Sequence, residues 1–313
     1  DKTASVCPGC TQGCNINIDT RDDVVVRIRP RPNLEVNRHF ICDYGRSNYR
    51  WMNRGDRIEA PLVRDGARHV ATDWDTALAR LEQVLRGAGG SAVILASGRA
   101  STESLGLVRR LVDRFDVTAA VQVPMGDEAP LPGIPNLALR RERAPNLTGA
   151  GLLGYTPHWE AAMRQVLSAA VVVVLDADLN EADEAALAAA PGVVVILGTV
   201  FAEALRNAEL VLPVTTMAEE NGTYVNRDRR LQRYHQAKSQ PGMARPAWWV
   251  AGEVLAGPGP SADAPSTAAE AFQLLGERWP VFAGLTHADL GYTGRVLQGG
   301  AAPALTGASG AGR

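Results

Sequence analysis

Cysteine is missing from the chain after position 42. The four that exist, Cys7, Cys10, Cys14 and Cys42, all stand at the amino-terminal end of 313 residues. A disulfide framework is normally spread through the fold it staples, so this distribution excludes one. Long hydrophobic runs are missing as well. The longest, Ala169–Leu175, falls far short of the ~20 residues a membrane-spanning helix needs. Neither sign of charge is in excess: 32 Lys plus Arg against 34 Asp plus Glu leave a net −2, which removes any global signal for nucleic acid. No initiator Met and no signal-peptide pattern open the chain, which predicts a fragment or a processed product. What remains is 46% hydrophobic and 21% charged, the composition of a globular protein, with length for roughly two domains at ~100–200 residues each.

Residues 1–60 form one compositional block. It holds every Cys and a series of arginines that includes Arg27, Arg29, Arg31 and Arg46. Ile16–Ile18 and Val24–Ile28 read as short strands around the polar Asp19–Asp23 turn. The block is too small for an apolar core of its own, so something else must hold it together. Residues 61–256 alternate strand and helix. Helices are predicted at Trp74–Arg86 with Asp73 as N-cap, at Ser101–Phe115, His158–Ser168, Glu181–Ala190, 202–207 and Ala247–Leu255. Strands are predicted at Ala92–Ala96, Val117–Val123, Ala170–Leu175, Val193–Leu197 and Leu210–Pro213. The uniformly apolar, β-branched Ala170–Leu175 is the kind of strand buried on both faces of a parallel sheet. Residues 126–153, rich in Pro, Gly and Arg, read as a long loop with one short helix, and Asn221-Gly222 as a tight turn. Residues 257–313 read as a Gly/Pro/Ala-rich extension with a linker at 257–265, one helix at Thr267–Arg278 and a frayed end at 299–313. The fold class expected is therefore α/β: a small amino-terminal domain of short strands followed by a mainly parallel, Rossmann-like body.

The spacing Cys7-x2-Cys10-x3-Cys14-x27-Cys42 carries the strongest chemical signal. Three thiols this close converge if the loop curls, and Gly9 and Gly13 allow that. Four thiolates suit a cubane iron–sulfur cluster. A structural zinc site with four thiolates is the alternative, but zinc sites usually use two CxxC pairs, whereas here three ligands cluster and one stands alone. Metal binding would supply the stability that the block lacks. Of the arginines, Arg27 and Arg46 are expected nearest the thiols. Ser97-Gly98-Arg99-Ala100-Ser101 follows a strand and opens a helix, where anions can bind, but it is neither GxGxxG nor a P-loop. Asp176 and Asp178 end the most apolar strand, where ligands sit in open α/β sheets. The five His are scattered and form no ligand pair. No Ser/His/Asp or paired-carboxylate arrangement is visible.

The segment Cys7–Cys14, Arg27-Ile28-Arg29-Pro30, Val36-Asn37 and Cys42-Asp43-Tyr44-Gly45-Arg46 resembles the amino-terminal iron–sulfur domain of the molybdopterin oxidoreductases. Later, Glu219-Glu220-Asn221-Gly222-Thr223-Tyr224-Val225-Asn226 with Arg230-Leu231-Gln232 resembles that family's "E-x-x-G-T-x-x-N…R-x-Q" stretch. The superfamily includes formate dehydrogenases, nitrate reductases and the large iron–sulfur subunit of respiratory NADH-quinone oxidoreductase. The chain is most similar to the last branch. Catalytic members commonly follow the fourth Cys with a Lys or Arg that bridges cluster and pterin, and here Asp43 follows Cys42. No later Cys can bind molybdenum. Catalytic members are also far longer.

The resemblance implies one 4Fe-4S cluster on Cys7, Cys10, Cys14 and Cys42, no molybdopterin, and no active site of the chain's own. It implies an electron-transfer or scaffold role in a hetero-oligomeric respiratory complex, with other hydrophilic subunits as partners and no nucleic acid or direct membrane span. In family members the cluster of this domain lies off the main electron path, and a ferredoxin-like domain precedes it. The implied location is cytoplasmic, on the inner membrane through partner subunits. Two other readings are a truncated molybdopterin enzyme of formate dehydrogenase type, completed by another chain, and a zinc-stabilised interaction module.

Overall fold

The computed structural model describes residues 1–134, 136–202, 205–257 and 264–299. Strands β1 (Lys2–Val6), β2 (Asn15–Arg21) and β3 (Val24–Pro30) form an antiparallel sheet in chain order. The β2–β3 turn lies at Asp22 and Asp23, with φ of 49° and 62°, a left-handed backbone that Asp tolerates better than most residues. Helix α1 (Asp43–Ser47) follows. β4 (Leu62–Asp65) and β5 (Arg68–Ala71) make a hairpin that the sequence does not announce. Next come α2 (Trp74–Gly87), β6 (Ser91–Ser97), α3 (Thr102–Leu111) and β7 (Asp116–Gln122). The 126–153 segment contains the two-residue strands β8 (Ala129–Pro130) and β9 (Ala138–Leu139), then α4 (Leu147–Leu152). α5 (Trp159–Val166), β10 (Val171–Leu175), α6 (Glu181–Ala188), β11 (Val193–Gly198) and β12 (Leu210–Pro213) complete the alternation. β13 (Gly222–Val225), β14 (Arg230–Tyr234), α7 (Ala247–Ala256), α8 (Ala268–Arg278) and β15 (Arg295–Val296) end the described chain.

The body is a seven-stranded sheet in the order β5-β4-β12-β11-β10-β6-β7. The five strands from β12 to β7 are parallel, and the β4–β5 hairpin adds an antiparallel edge. Every residue of β10 is buried, because apolar cores fill both faces of the sheet. The α/β class with a small cysteine-bearing sheet in front is thus as the sequence predicts. Local chemistry fixes the helix starts: Asp73 accepts the Thr76 N–H before α2, and Ser101 accepts the Ser104 N–H before α3. α3 ends at Leu111, earlier than its apolar spacing indicates.

Asn221-Gly222 is not a turn. Gly222 is the first residue of β13, and the turn joining β13 to β14 is made by Asn226–Arg229. A Cβ on Gly222 would stand 2.5 Å from the Tyr234 hydroxyl, so close tyrosine packing is what calls for glycine there. The helix expected at 202–207, the linker at 257–265 and the end at 299–313 lie wholly or partly outside the described residues.

The amino-terminal sheet does not close its own core. Val6, Ile16, Ile18 and Ile28 pack with Leu137, Met217, Tyr224 and Tyr234. β1 lies beside β14, with the His235 N–H donating to Ala4 O at 3.2 Å. A buried ion pair adds to the tie: the Arg57 guanidinium grips Glu219 at 2.7 and 3.0 Å and also donates to Val214 O.

Candidate metal centre

The loop from Cys7 to Cys14 leaves the end of β1 and returns into β2. It is closed by the Cys7 N–H on Cys14 O at 2.8 Å and by the Gly13 N–H on Cys10 O at 3.3 Å. Cys42 arrives from a separate segment as the N-cap of α1, its Sγ accepting the Gly45 N–H at 3.4 Å. All four cysteines are free thiols, and all four line one cavity. A Cβ on Gly45 would stand 2.9 Å from Cys7 Sγ and 3.7 Å from Cys42 Sγ, so the bare glycine backbone is what lets α1 approach the thiols. Leu131, Leu137, Ala138 and Leu139 cover the other side. The sequence identifies the four sulfurs but not this apolar cover. The only signal for it is a few leucines inside a segment otherwise rich in Pro, Gly and Arg.

Burial pushes the proton affinity of Cys7, Cys10 and Cys14 above that of an ordinary thiol. The neighbouring sulfurs raise it further, because each thiolate would feel the others' charge. Nearby backbone N–H groups, of Gly9 for Cys7 and of Arg140 and Gln12 for Cys10, oppose this. Such a site ionises only when a cationic centre replaces the protons. The arginine whose charge bears on Cys10 is Arg143. Arg27 is instead bound to Asp19 at 2.8 Å on the exposed side of the sheet, and the half-exposed Arg46 lies beside Asp43. Nearness in sequence misplaces the charge, because residues 140–143 are brought in by the fold. His39 is exposed.

No group of three or more His, Cys, Asp or Glu side chains among the described residues is arranged to hold a single metal ion.

A second, larger cleft lies at the carboxyl ends of β6, β10 and β11, where strand order reverses between β6 and β10, the usual ligand crevice of open α/β sheets. The Ser97–Ser101 turn and both aspartates expected there do line or flank it. Their polar groups are already engaged. Asp176 is buried and accepts the Thr199 N–H at 3.0 Å and Oγ1 at 2.7 Å, with burial raising its proton affinity. Arg99 pairs with Asp178 at 2.9 Å, and Arg54, the other arginine on the cleft, pairs with Asp56. A Cβ on Gly98 would strike Leu147 at 2.7 Å and Ala144 at 2.8 Å, so packing beneath α4 explains that glycine without a ligand. Asp176, Asp178 and Glu184 line the cleft alongside the two arginines.

Residues 1–54 match the family model described as "Molybdopterin oxidoreductase Fe4S4 domain", and residues 137–256 match "Molybdopterin oxidoreductase". The chain belongs to the molybdopterin oxidoreductase family. Among curated relatives, it is 42% identical to the NADH-quinone oxidoreductase G subunit of Pseudomonas fluorescens over 108 residues, 34% of this chain and 11% of that protein. It is 37% identical to NADH-quinone oxidoreductase subunit 3 of Thermus thermophilus over 108 residues, 34% of this chain and 14% of that one. Against the G subunit of Escherichia coli K12 it is 30% identical over 177 residues, 56% of this chain and 18% of the relative. The chain thus spans less than a fifth of the length of these relatives. Among solved structures, acetylene hydratase from Pelobacter acetylenicus shares the fold, with a TM-score of 0.51 at 10% identity, over 93% of this chain and 73% of that one.

The "E-x-x-G-T-x-x-N" stretch has a local physical account in this molecule. Glu219 holds Arg57, Thr223 donates to the buried Glu103, and the Asn226 side-chain oxygen accepts the Asp228 and Arg230 N–H groups to build the β13–β14 turn. No helix among the described residues is long and apolar enough to cross a membrane.

Proposed function

We propose that this chain is an iron–sulfur segment of the large iron–sulfur subunit of a NADH-quinone oxidoreductase. Cys7, Cys10, Cys14 and Cys42 hold one 4Fe-4S cluster, and the α/β body docks against other hydrophilic subunits of a hetero-oligomeric respiratory complex. The observation that carries this reading is the cavity lined by four free thiols from two separate segments. The partial-length similarity to the G subunits of that complex supports the choice of complex. In this reading residues 1–60 are the iron–sulfur domain, residues 61–256 the body and residues 257–313 an extension whose helix α8 packs on the body.

When bound, the cluster supplies one-electron redox chemistry. The chain's own residues bind it, exclude water with Leu131, Leu137 and Leu139, and present the Gly45 N–H to Cys42 Sγ. The site therefore suits one-electron relay or the bracing of a peripheral arm. A pterin is left out of the proposal on two grounds. Asp43 follows Cys42, and Arg99 and Arg54 are paired away.

Metal analysis of protein purified and reconstituted without oxygen tests this. About four irons per chain, with a broad visible absorption that bleaches with dithionite, is the expected result. Zinc in place of iron, or molybdenum or tungsten alongside it, would replace this reading with one of its competitors.

A further inference from the structure

Glu220 is a buried carboxyl with no part in the site described so far. It accepts the Tyr234 hydroxyl and Thr215 Oγ1, each at 2.8 Å. Tyr234 is fully buried, packs on Tyr224 with ring centroids 4.7 Å apart, and belongs to the same apolar cluster as Cys7 and Cys14. β14 sets Tyr234 beside the cysteine loop. Gln232, two residues earlier and so on the same strand face, donates from Nε2 to Gly13 O at 2.9 Å. Two residues along a strand span roughly 7 Å.

On its other side Glu220 borders a cavity of about 40 Å³, whose wall includes Ser101, Ser104, Thr215 and Thr216. One water needs ~10–15 Å³ and two or more polar partners, and this cavity offers both. Trp51, Arg99, Asp176 and Thr216 are shared between its wall and that of the open cleft at the ends of β6, β10 and β11. A polar route thus runs from solvent through the cleft to Glu220 and Tyr234, and ends at the core that contains two of the thiols.

The charged neighbours of this route have partners of their own. Glu103 of α3 accepts the Thr223 N–H and Oγ1 and lies 2.9 Å from His287 Nε2. Glu219 is bound to Arg57, and Arg99 to Asp178. Asp176 accepts two bonds from Thr199, and the Tyr224 hydroxyl donates to Arg99 O. Among the described residues Glu220 is bonded to two hydroxyls and to no cation. Burial accordingly raises its pKa from an ordinary 4.5 to about 8. A negative charge added in the same interior is poorly screened by salt and raises the proton affinity of such a group further.

We propose that Glu220 is a redox-linked proton acceptor, which takes up a proton from solvent through the cleft and the small cavity when the cluster on the four cysteines is reduced; this rests on the 4Fe-4S reading above. One electron comes from an external one-electron donor. One O–H bond forms at Glu220 with a proton from solvent, so the added charge is balanced. The coupling is reciprocal: protonated Glu220 favours the reduced cluster, and ionised Glu220 disfavours it.

The test uses the full chain, reconstituted without oxygen and reduced with dithionite. Wild type, Glu220→Gln and Tyr234→Phe are compared by redox titration across a pH series and by reduced-minus-oxidised infrared spectra. The wild-type midpoint is expected to be level at low pH, where Glu220 is protonated in both states. It falls as pH rises through the range in which Glu220 is ionised in the oxidised state and protonated in the reduced state. In that range, reduction brings up a protonated-carboxyl band that shifts in D2O. Glu220→Gln keeps its iron and loses both the band and the fall in midpoint. Tyr234→Phe removes one of the hydrogen bonds that favour the carboxylate, so its fall begins at higher pH; it carries the comparison if Glu220→Gln does not fold. A merely structural role would lower thermal stability without removing the band or moving the pH range. A wild-type midpoint level with pH, an iron-loaded Glu220→Gln with the wild-type fall and band, or a Tyr234→Phe fall that begins at the wild-type pH overturns the proposal. A wild-type chain that takes up no cluster overturns the 4Fe-4S reading itself.

Discussion

The strand β10 and the loop Cys7–Cys14 are both buried, and they are buried among opposite kinds of neighbours. Around β10, Val171–Leu175 meets Ala92–Ala96 on one side and Val193–Leu197 on the other, with apolar cores above and below. Burial of that sort stabilises by itself. Around the loop, the interior includes thiols and the amides of Gln12, Asn15, Asn33 and Asn37. Buried polar groups cost free energy unless each finds a partner. The partners of the loop come from residues 140–142 and 226–232, and those of the thiols, in the function proposed above, from a bound cluster. The difference teaches where stability resides: the body is held by its own side chains, while the cysteine lobe is held by the body and, in the proposed function, by its cluster.

The harshest way to break that contrast is Cys42→Ala. It removes the one thiol contributed by the start of α1 and is expected to abolish cluster absorbance in the reconstituted chain. Amide exchange across residues 1–54 should accelerate while the far-UV helix signal of the body persists. Full absorbance in this variant would remove Cys42 from the ligand set. The converse probe is Ile94→Ala, at the centre of β6, where the side chain is fully buried. Truncating a core Ile costs about 2–5 kcal/mol, read as a lower denaturation midpoint, with the cluster spectrum unchanged until the body unfolds. Gly13→Ala comes next. Left-handed backbone costs a non-glycine residue about 1–2 kcal/mol, and here the added methyl also meets Asn226 and Gln232. The loss should show as faster cluster release to a chelator, with little change in the melting of the body.

The contrast also explains what the sequence makes legible. β-branched runs such as Val171–Leu175 and Val193–Leu197 announce a parallel sheet because burial on both faces leaves no room for polar alternation. Asp73 is readable as a cap because capping is a contact between residues three apart. The four cysteines are readable from chemistry and spacing. The leucine cover from 131 to 139 and the Asn226–Gln232 grip are not, because each depends on segments far apart in the chain. For the same reason, nearness along the chain points to Arg46 where the fold supplies Arg143. β1, with the sequence Lys-Thr-Ala-Ser-Val, and the two-residue β15 have almost no pattern of their own and exist through pairing with β2 and β14. Gly222 misleads because a glycine demanded by packing looks the same in sequence as one demanded by a turn.

The gentlest probe sits on the seam between the two regions. Glu220 is buried, accepts the Tyr234 hydroxyl and Thr215 Oγ1, each at 2.8 Å, and so joins the tyrosine core of the lobe to the cleft side of the body. Burial raises its pKa from an ordinary 4.5 to about 8, against the hydrogen bonds from Thr215 and Tyr234, which lower it. A carboxyl with a raised folded pKa binds a proton in the folded state that the unfolded chain has released. Its stabilising share is therefore complete below pH 4.5, declines as pH rises, and is gone above about pH 8. Glu220→Gln keeps the shape and cannot ionise. Near pH 4 the two proteins should differ least; from pH 4.5 to about 8 wild type should lose stability relative to the variant, and above about pH 8 the difference should level off, measured as denaturation midpoints across a pH series. Following both far-UV signal and cluster absorbance then locates the seam. If both fall together in wild type, Glu220 couples lobe and body. If only the cluster signal falls, the body is indifferent to it. A constant difference between the two proteins across the whole series would mean that Glu220 is already ionised in the fold.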